Sequence, residues 1–198
     1  MHFRWLHRIT LSMAEMQDID DNGLVARIVK GDHQAFAQIV ERHSAMFYRA
    51  AYRNVQNEQQ AEDVVQDAFL KLWDRPQAFD PAKGVQFTTW FYRVVTNAAI
   101  DALRKSKSGS HVGDGQSVLD MVCDDAPPVD EHIIEHEKSL RLERAIARLP
   151  VRQRAALNLC VYEGLSNKEA AQVLGVGVKA LESLLMRGKK TLKDDLHR

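Results

Sequence analysis

From about Asp20 to Lys105 apolar residues recur at a helical period in long stretches, with few β-branched clusters, which predicts an all-α region. Gly31 and Asp32 separate a short helix, Leu24 to Lys30, from a longer one, about His33 to Val55, whose stripe is Phe36, Ile39, Val40, Phe47, Ala50 and Ala51. A third helix, Asn57 to Asp74, gathers Ala61, Val64, Val65, Ala68, Phe69 and Leu72 on a packed face. Opposite lie Asp63, Gln66, Asp67 and Asp74, with Leu70 projecting from the middle of that polar side. Pro76, Pro81 and Gly84 break Arg75 to Gln86 into a loop that leaves Phe79 and Lys83 available for contacts. FTTWFYRVVTNAAIDALRKSK is helical again: Phe91, Val95, Ala98, Ala99 and Ala102 face inward, Tyr92 and Leu103 sit at a margin, and Trp90, Arg93, Asn97, Asp101 and Arg104 share the outer face.

The periodicity then lapses. Ser106 to about Val129 carries SGSHVGDGQS, DD and PP in quick succession and reads as a flexible linker. A helix from Leu140, with Leu142, Ile146 and Leu149 on one side, runs to Pro150, which stops it. Val151 to Glu163 forms the next, with Leu157, Cys160 and Val161 as core, and Gly164 ends it. Ser166 to Lys190 has the pattern of a helix-turn-helix. Ser166 and Glu169 make a capping box, Ala170, Ala171 and Leu174 a short apolar face, and Gly175 the left-handed turn. A second helix begins near Val178; Ala180, Leu181, Leu184 and Gly188 pack, while Lys179, Glu182, Ser183, Met186 and Lys190 face a groove. Gly188 costs that helix on the order of 1 kcal/mol relative to Ala.

Composition changes this picture in one respect. The 198 residues are 45% apolar, an ordinary globular share, and 27 basic residues balance 27 acidic ones. The balance is uneven along the chain: residues 106–137 hold one basic and eight acidic residues, and 139–198 hold twelve basic and six acidic. A basic end suited to nucleic acid is cancelled by an acidic middle.

Cys123 and Cys160 lie 37 apart, which supports neither a disulfide framework nor a zinc ribbon and fits a reducing cytoplasm. No apolar run approaches the roughly 18 residues needed to span a bilayer. The opening MHFRWLHRITLSM is a poor secretory signal; residues 1–19 read as a disordered leader, with Met13 or Met16 as alternative starts.

The candidate chemistry is binding chemistry. Leu70 in its acidic surround is either an incidental exposed residue or the centre of a protein-docking face with a charged rim. Trp90 with Arg93 and Arg104 suits single-stranded nucleic acid, the ring stacking on a base while guanidinium groups hold phosphates; the alternative is a Trp buried by a neighbouring helix. His132 and His136, four apart, and Cys123 offer at most an incomplete metal set. No Walker loop, His-Glu-x-x-His or nucleophile elbow is present, so neither an enzyme nor a cofactor is expected.

AEDVVQDAFLKLWD, FTTWFYRVVTNAAIDALRK and LPVRQRAALNLCVYEGLSNKEAAQVLGV, in that order and with a linker between the second and third, resemble a bacterial sigma factor of the extracytoplasmic-function group. The resemblance covers about 20–105 and 135–195 and implies two helical domains: 20–105 as region 2 and 135–198 as region 4, joined by an acidic linker at 106–134. It implies that Asp63, Gln66, Asp67 and Leu70 meet core RNA polymerase, a partner of β and β′ subunits, at the β′ clamp helices. It assigns Phe79 and Lys83 to a loop that captures a flipped base of the minus-10 element, and Trp90, Arg93, Asn97 and Arg104 to the helix that melts and holds that strand. It gives the second helix of the helix-turn-helix the minus-35 element, with Lys179, Glu182, Ser183, Met186, Arg187, Lys189 and Lys190 at the promoter DNA. An anti-sigma factor clamped between the domains is also implied. Gly177 stands where the family commonly has a Ser cap, and Leu184 where it often has a basic residue. The competing expectation is a two-domain helix-turn-helix repressor or activator that acts without being a polymerase subunit.

Overall fold

The computed structural model describes residues 19–108 and 141–197, and all regular structure among them is helical. Residues 1–18, most of the linker, Cys123, His132 and His136 lie outside the described residues.

Local side-chain bonds fix where the first helices begin. The Asp20 carboxylate accepts the Gly23 amide at 2.8 Å, so α1 spans Asp21–Ile28, starting and stopping earlier than the Leu24 to Lys30 expected from periodicity. Gly31, at φ +81°, turns the chain. Asp32 Oδ1 accepts the amides of Gln34 and Ala35, at 2.9 and 3.1 Å, and opens α2, His33–Val55. Its carboxyl is held below the usual carboxylate range by the Ala35 amide, against the opposing effect of burial and with help from Arg27. Asn57 caps α3, Glu58–Asp74, through the Gln60 amide.

The anticipated stripes meet in one core. Phe47 of α2, Phe69 of α3 and Phe91 of α4, Phe87–Ser108, bring their rings together, with centroids 4.6 Å apart for Phe47 and Phe91 and 4.9 Å for Phe69 and Phe91. Helix α4 runs past Ser106, where a linker was expected to begin. Between α3 and α4 the loop is not structureless: a tight turn at Pro76–Ala78 is closed by the Phe79 amide on the Pro76 carbonyl, and a second at Pro81–Lys83 by the Asp80 cap on Ala82 and by Gly84 at φ +66°.

The second half resumes in α5, helical over 141–148, which buries Ala145 and Ile146, with Leu149 just beyond; Leu142, expected on that face, is exposed. Helix α6, Val151–Leu157, follows Pro150, and its buried Arg154 donates from Nη1 to the Ala147 carbonyl at 3.0 Å, tying the two helices across the proline. The chain then widens into a π-turn, Asn158–Tyr162, in which the Glu163 amide reaches the Asn158 carbonyl. The wider turn rotates the following side chains out of α-helical phase. Leu159 is consequently buried, whereas Val161, assigned to the core by strict periodicity, is 60% exposed and Cys160 half-buried.

Gly164, at φ +66°, leads to α7, Asn167–Leu174, and Gly175, at φ +63°, to α8, Val178–Leu196. In α7 Ala170, Ala171 and Val173 are buried and Leu174 only partly so. In α8 Leu181 and Gly188 are buried, Leu184 is half-buried, and Ala180, expected to pack, is exposed. The buried Gly188 is where α8 lies against Leu157 of α6.

The two halves touch. α7 packs on α4, and Asn158 Nδ2 donates to Asn54 Oδ1 of α2 at 3.3 Å across the contact.

Candidate nucleic-acid interface

Three surfaces carry the residues singled out from sequence. On α3 the inward side, Ala61 to Leu72, is buried as its spacing requires. Asp63, Gln66 and Asp67 are exposed on the other side, and Leu70 among them is 57% exposed. This is an apolar centre on a rigid helix with an acidic rim, a form suited to docking a protein.

The second surface joins the loop to α4. Trp90 is half-buried, its ring 5.4 Å from Phe79 and 6.0 Å from Phe87, so it stands between the two alternatives open from sequence: one side packs and the other faces a cavity. Arg93, Asn97 and Arg104 are exposed on the same helix. Phe79 is corrected by the structure. At 4% exposure it is a core residue, because the turns beginning at Pro76 and Pro81 direct its ring at Phe87, 5.6 Å away, rather than into solvent. It anchors the loop; Lys83, exposed, is the residue the loop offers. Lys83 pairs with Asp80 at 3.8 Å and Arg104 with Asp101 at 3.3 Å, both on the surface. Exposed pairs of this kind are worth little and exchange readily for a phosphate.

A cavity of about 350 Å³ opens beside Trp90, bounded by Lys83, Thr89 and Arg93 on one side and by Gln172 and Gly175 on the other. The contribution from α7 has no signal in sequence, since the two stretches lie some 80 positions apart.

The third surface is α8. The capping box at the start of α7 is formed: Ser166 N donates to Glu169 Oε2 at 2.9 Å, and the Glu169 amide reaches Ser166 Oγ at 3.3 Å. The Ser166 hydroxyl, which donates to Glu169 Oε2 at 2.6 Å, and then the Ser166 amide hold the Glu169 carboxyl below its ordinary range. Lys179, Glu182, Met186, Arg187, Lys189 and Lys190 are exposed along α8, Met186 at 66%, and Ser183 is half-buried. Gly177 caps α8 without a side-chain hydrogen bond. Among the described residues no three His, Cys, Asp or Glu side chains gather as a metal set.

Known proteins account for this arrangement. Residues 39–109 match Sigma-70 region 2, and residues 139–192 match Sigma-70, region 4. ECF RNA polymerase sigma factor SigM of Mycobacterium tuberculosis is 31% identical over 172 residues, covering 87% of this chain and 82% of its own length. This chain belongs to the extracytoplasmic-function sigma factors. SigW of Bacillus subtilis is 28% identical over 87% of this chain and 94% of its own. A solved structure of CnrH in complex with the cytosolic domain of CnrY superimposes with a TM-score of 0.63 at 27% identity, covering 88% of this chain and 95% of that one.

As a sigma factor it binds core RNA polymerase and directs promoter-specific initiation, and nothing in these likenesses favours a free-standing repressor or activator. Members of the family act by binding, and no helix among the described residues is long and apolar enough to cross a membrane. In this sigma factor Glu163, Arg53 and Tyr92 come together through the contact between the halves, which no spacing in the sequence indicates.

Proposed function

We propose that this sigma factor grips polymerase and promoter at separate places and opens DNA with binding energy alone, without catalysis and in the cytoplasm. Region 2, residues 20–105, docks on the β′ clamp helices through Asp63, Gln66, Asp67 and Leu70. Its other surface holds the displaced minus-10 strand: Trp90 stacks on a base, while Lys83, Arg93, Asn97 and Arg104 supply phosphate and polar contacts. Region 4, residues 135–198, places α8 in the major groove at the minus-35 element through Lys179, Glu182, Ser183, Met186, Arg187, Lys189 and Lys190. The linker, 106–134, separates the two, and residues 1–19 are a leader.

One observation carries the proposal. A single helical core presents an exposed Leu70 with an acidic rim on α3 and an aromatic, basic surface on α4. A repressor needs the helix-turn-helix but has no use for this pair of surfaces. Unstacking DNA costs on the order of a few kcal/mol per step, which captured bases and phosphates must offset. CnrH is solved in complex with the cytosolic domain of CnrY, and an anti-sigma factor acting on this chain is part of the proposal.

Co-purification with core polymerase tests the docking assignment. The paired substitutions Asp67→Ala and Leu70→Ala abolish retention if it is right; undiminished retention would show that another face docks.

A further inference from the structure

The contact between the halves is closed by one carboxylate. Glu163, at the corner after the π-turn, has a side chain only 6% exposed. Its Oε1 accepts from Arg53 Nη1 of α2 at 2.7 Å, and its Oε2 accepts from the Tyr92 hydroxyl of α4 at 2.5 Å. The Arg53 guanidinium also lies over the Tyr162 ring, 4.6 Å from its centroid. Each bond joins region 4 to region 2, and the arginine and carboxylate are 110 positions apart in sequence.

The rest of that interface is apolar packing, in which Ala156, Leu159, Ala170, Ala171 and Val173 of region 4 share one buried core with region 2, interrupted by one poorly matched polar pair. Asn54 and Asn158 are both buried there, joined by one bond of 3.3 Å, and the Asn158 Oδ1 is buried with no hydrogen-bond partner. Closing the halves therefore strips water from a carbonyl that receives nothing in return. Contacts between domains of one chain are weak by default when they are partly polar. Among its polar contacts the charge-assisted bonds of Glu163 are the strong ones.

Closure has a consequence at Trp90. Gln172, Val173 and Gly175 of region 4 form the far wall of the cavity whose near wall is Lys83, Trp90 and Arg93. A strand of DNA laid on that surface would have to displace them.

We propose that Glu163 is a latch that holds region 4 over the minus-10 surface of region 2, so that the free factor is self-masked and engages single-stranded DNA only when the Arg53–Glu163–Tyr92 cluster is broken. The masking rests on the assignment of Trp90 and Arg93 to the DNA strand; the latch itself does not. Arg53 is 30% exposed and regains water when its partner is removed, so truncation of Glu163 opens the contact rather than stranding a buried charge.

The test compares the full-length wild type with Glu163→Ala and with Tyr92→Phe, which keeps the buried ring and removes only the hydroxyl. Circular dichroism verifies that each variant is as helical as the wild type. Small-angle scattering measures the radius of gyration, and anisotropy measures binding of a labelled single-stranded oligonucleotide of minus-10 sequence. The expected result is a larger radius and at least threefold tighter strand binding for Glu163→Ala, a smaller change in the same direction for Tyr92→Phe, and loss of the gain when Trp90→Ala is added. An unchanged radius in both variants would overturn the latch whatever happens to the DNA. A larger radius with no strand binding by any variant would overturn the masking and, with it, the assignment of Trp90.

Discussion

A β-carbon on Gly188 would lie 2.9 Å from Cδ1 of Leu157, and Leu157 is itself buried. The glycine is therefore the point at which α8 and α6 come close enough for the recognition helix to rest on the helix behind it. Helix propensity alone favours Ala by about 1 kcal/mol, and overpacking a filled core costs about 1–3 kcal/mol. The two effects oppose each other for one methyl group. Gly188→Ala is expected within about 1 kcal/mol of wild type, and Gly188→Val, larger and β-branched, to lose about 2 kcal/mol. Urea unfolding measures both, and stabilisation by both would remove the close approach.

The caps of the helix-turn-helix differ, and that difference is measurable. Ser166 is bonded to Glu169 in both directions, whereas Gly177 offers α8 nothing and has open space where a side chain would go. Ser166→Ala is expected to cost about 1 kcal/mol and Gly177→Ser to add a few tenths of a kcal/mol. Thermal unfolding orders the three proteins; a destabilised Gly177→Ser would show that the amides at that terminus are already satisfied.

Asp32 gives region 2 an acid limit. Its folded carboxyl lies below its unfolded value, chiefly through the Ala35 amide, so its contribution is present above about pH 4, the unfolded range, and is lost as pH falls through the folded pKa. Asp32→Asn retains a cap but no titrating charge, and its stability should fall less steeply than the wild type's on acidification below about pH 4. Denaturant titrations at neutral and acidic pH compare the slopes, and parallel curves would assign the acid limb to other carboxylates.

On α8, Lys179→Ala and Lys190→Ala are expected to weaken duplex binding at all sequences and to reduce the salt slope by about one each. Glu182→Ala and Met186→Ala, on the exposed stripe proposed to face the groove, should change sequence preference instead. Anisotropy across a salt series, with matched and scrambled minus-35 duplexes, separates these effects.

What the chain revealed in advance follows physical range. The Ser166–Glu169 box acts within three residues of itself, so α7 begins where its side chains indicate. Asp32 and Asn57 cap α2 and α3 at the same short reach, although the sequence pattern marks Asp32 only as a break and includes Asn57 in the helix. The buried stripe of α3 and the exposed Leu70 follow from its period alone. Periodicity fails where the backbone changes its own period: the π-turn at Asn158 exchanges Leu159 for Val161 in the core. Phe79 fails for a different reason. A loop side chain takes its direction from the turns around it, and two adjacent proline turns aim this one inward. Gly188 was legible as a cost but not as a requirement, since Leu157 is thirty-one positions away. The Arg53–Glu163 pair is longer in range still, and no spacing rule reaches it.

The central claim is that this chain makes core RNA polymerase promoter-specific, and run-off transcription tests it most directly. Purified core polymerase, this protein and a template carrying the DNA upstream of its own gene should yield a discrete transcript that neither protein yields alone. Leu70→Ala with Asp67→Ala should abolish that transcript while leaving duplex binding by α8 intact. No transcript from the reconstituted mixture, together with footprints of a dimer on a palindrome, would contradict the account.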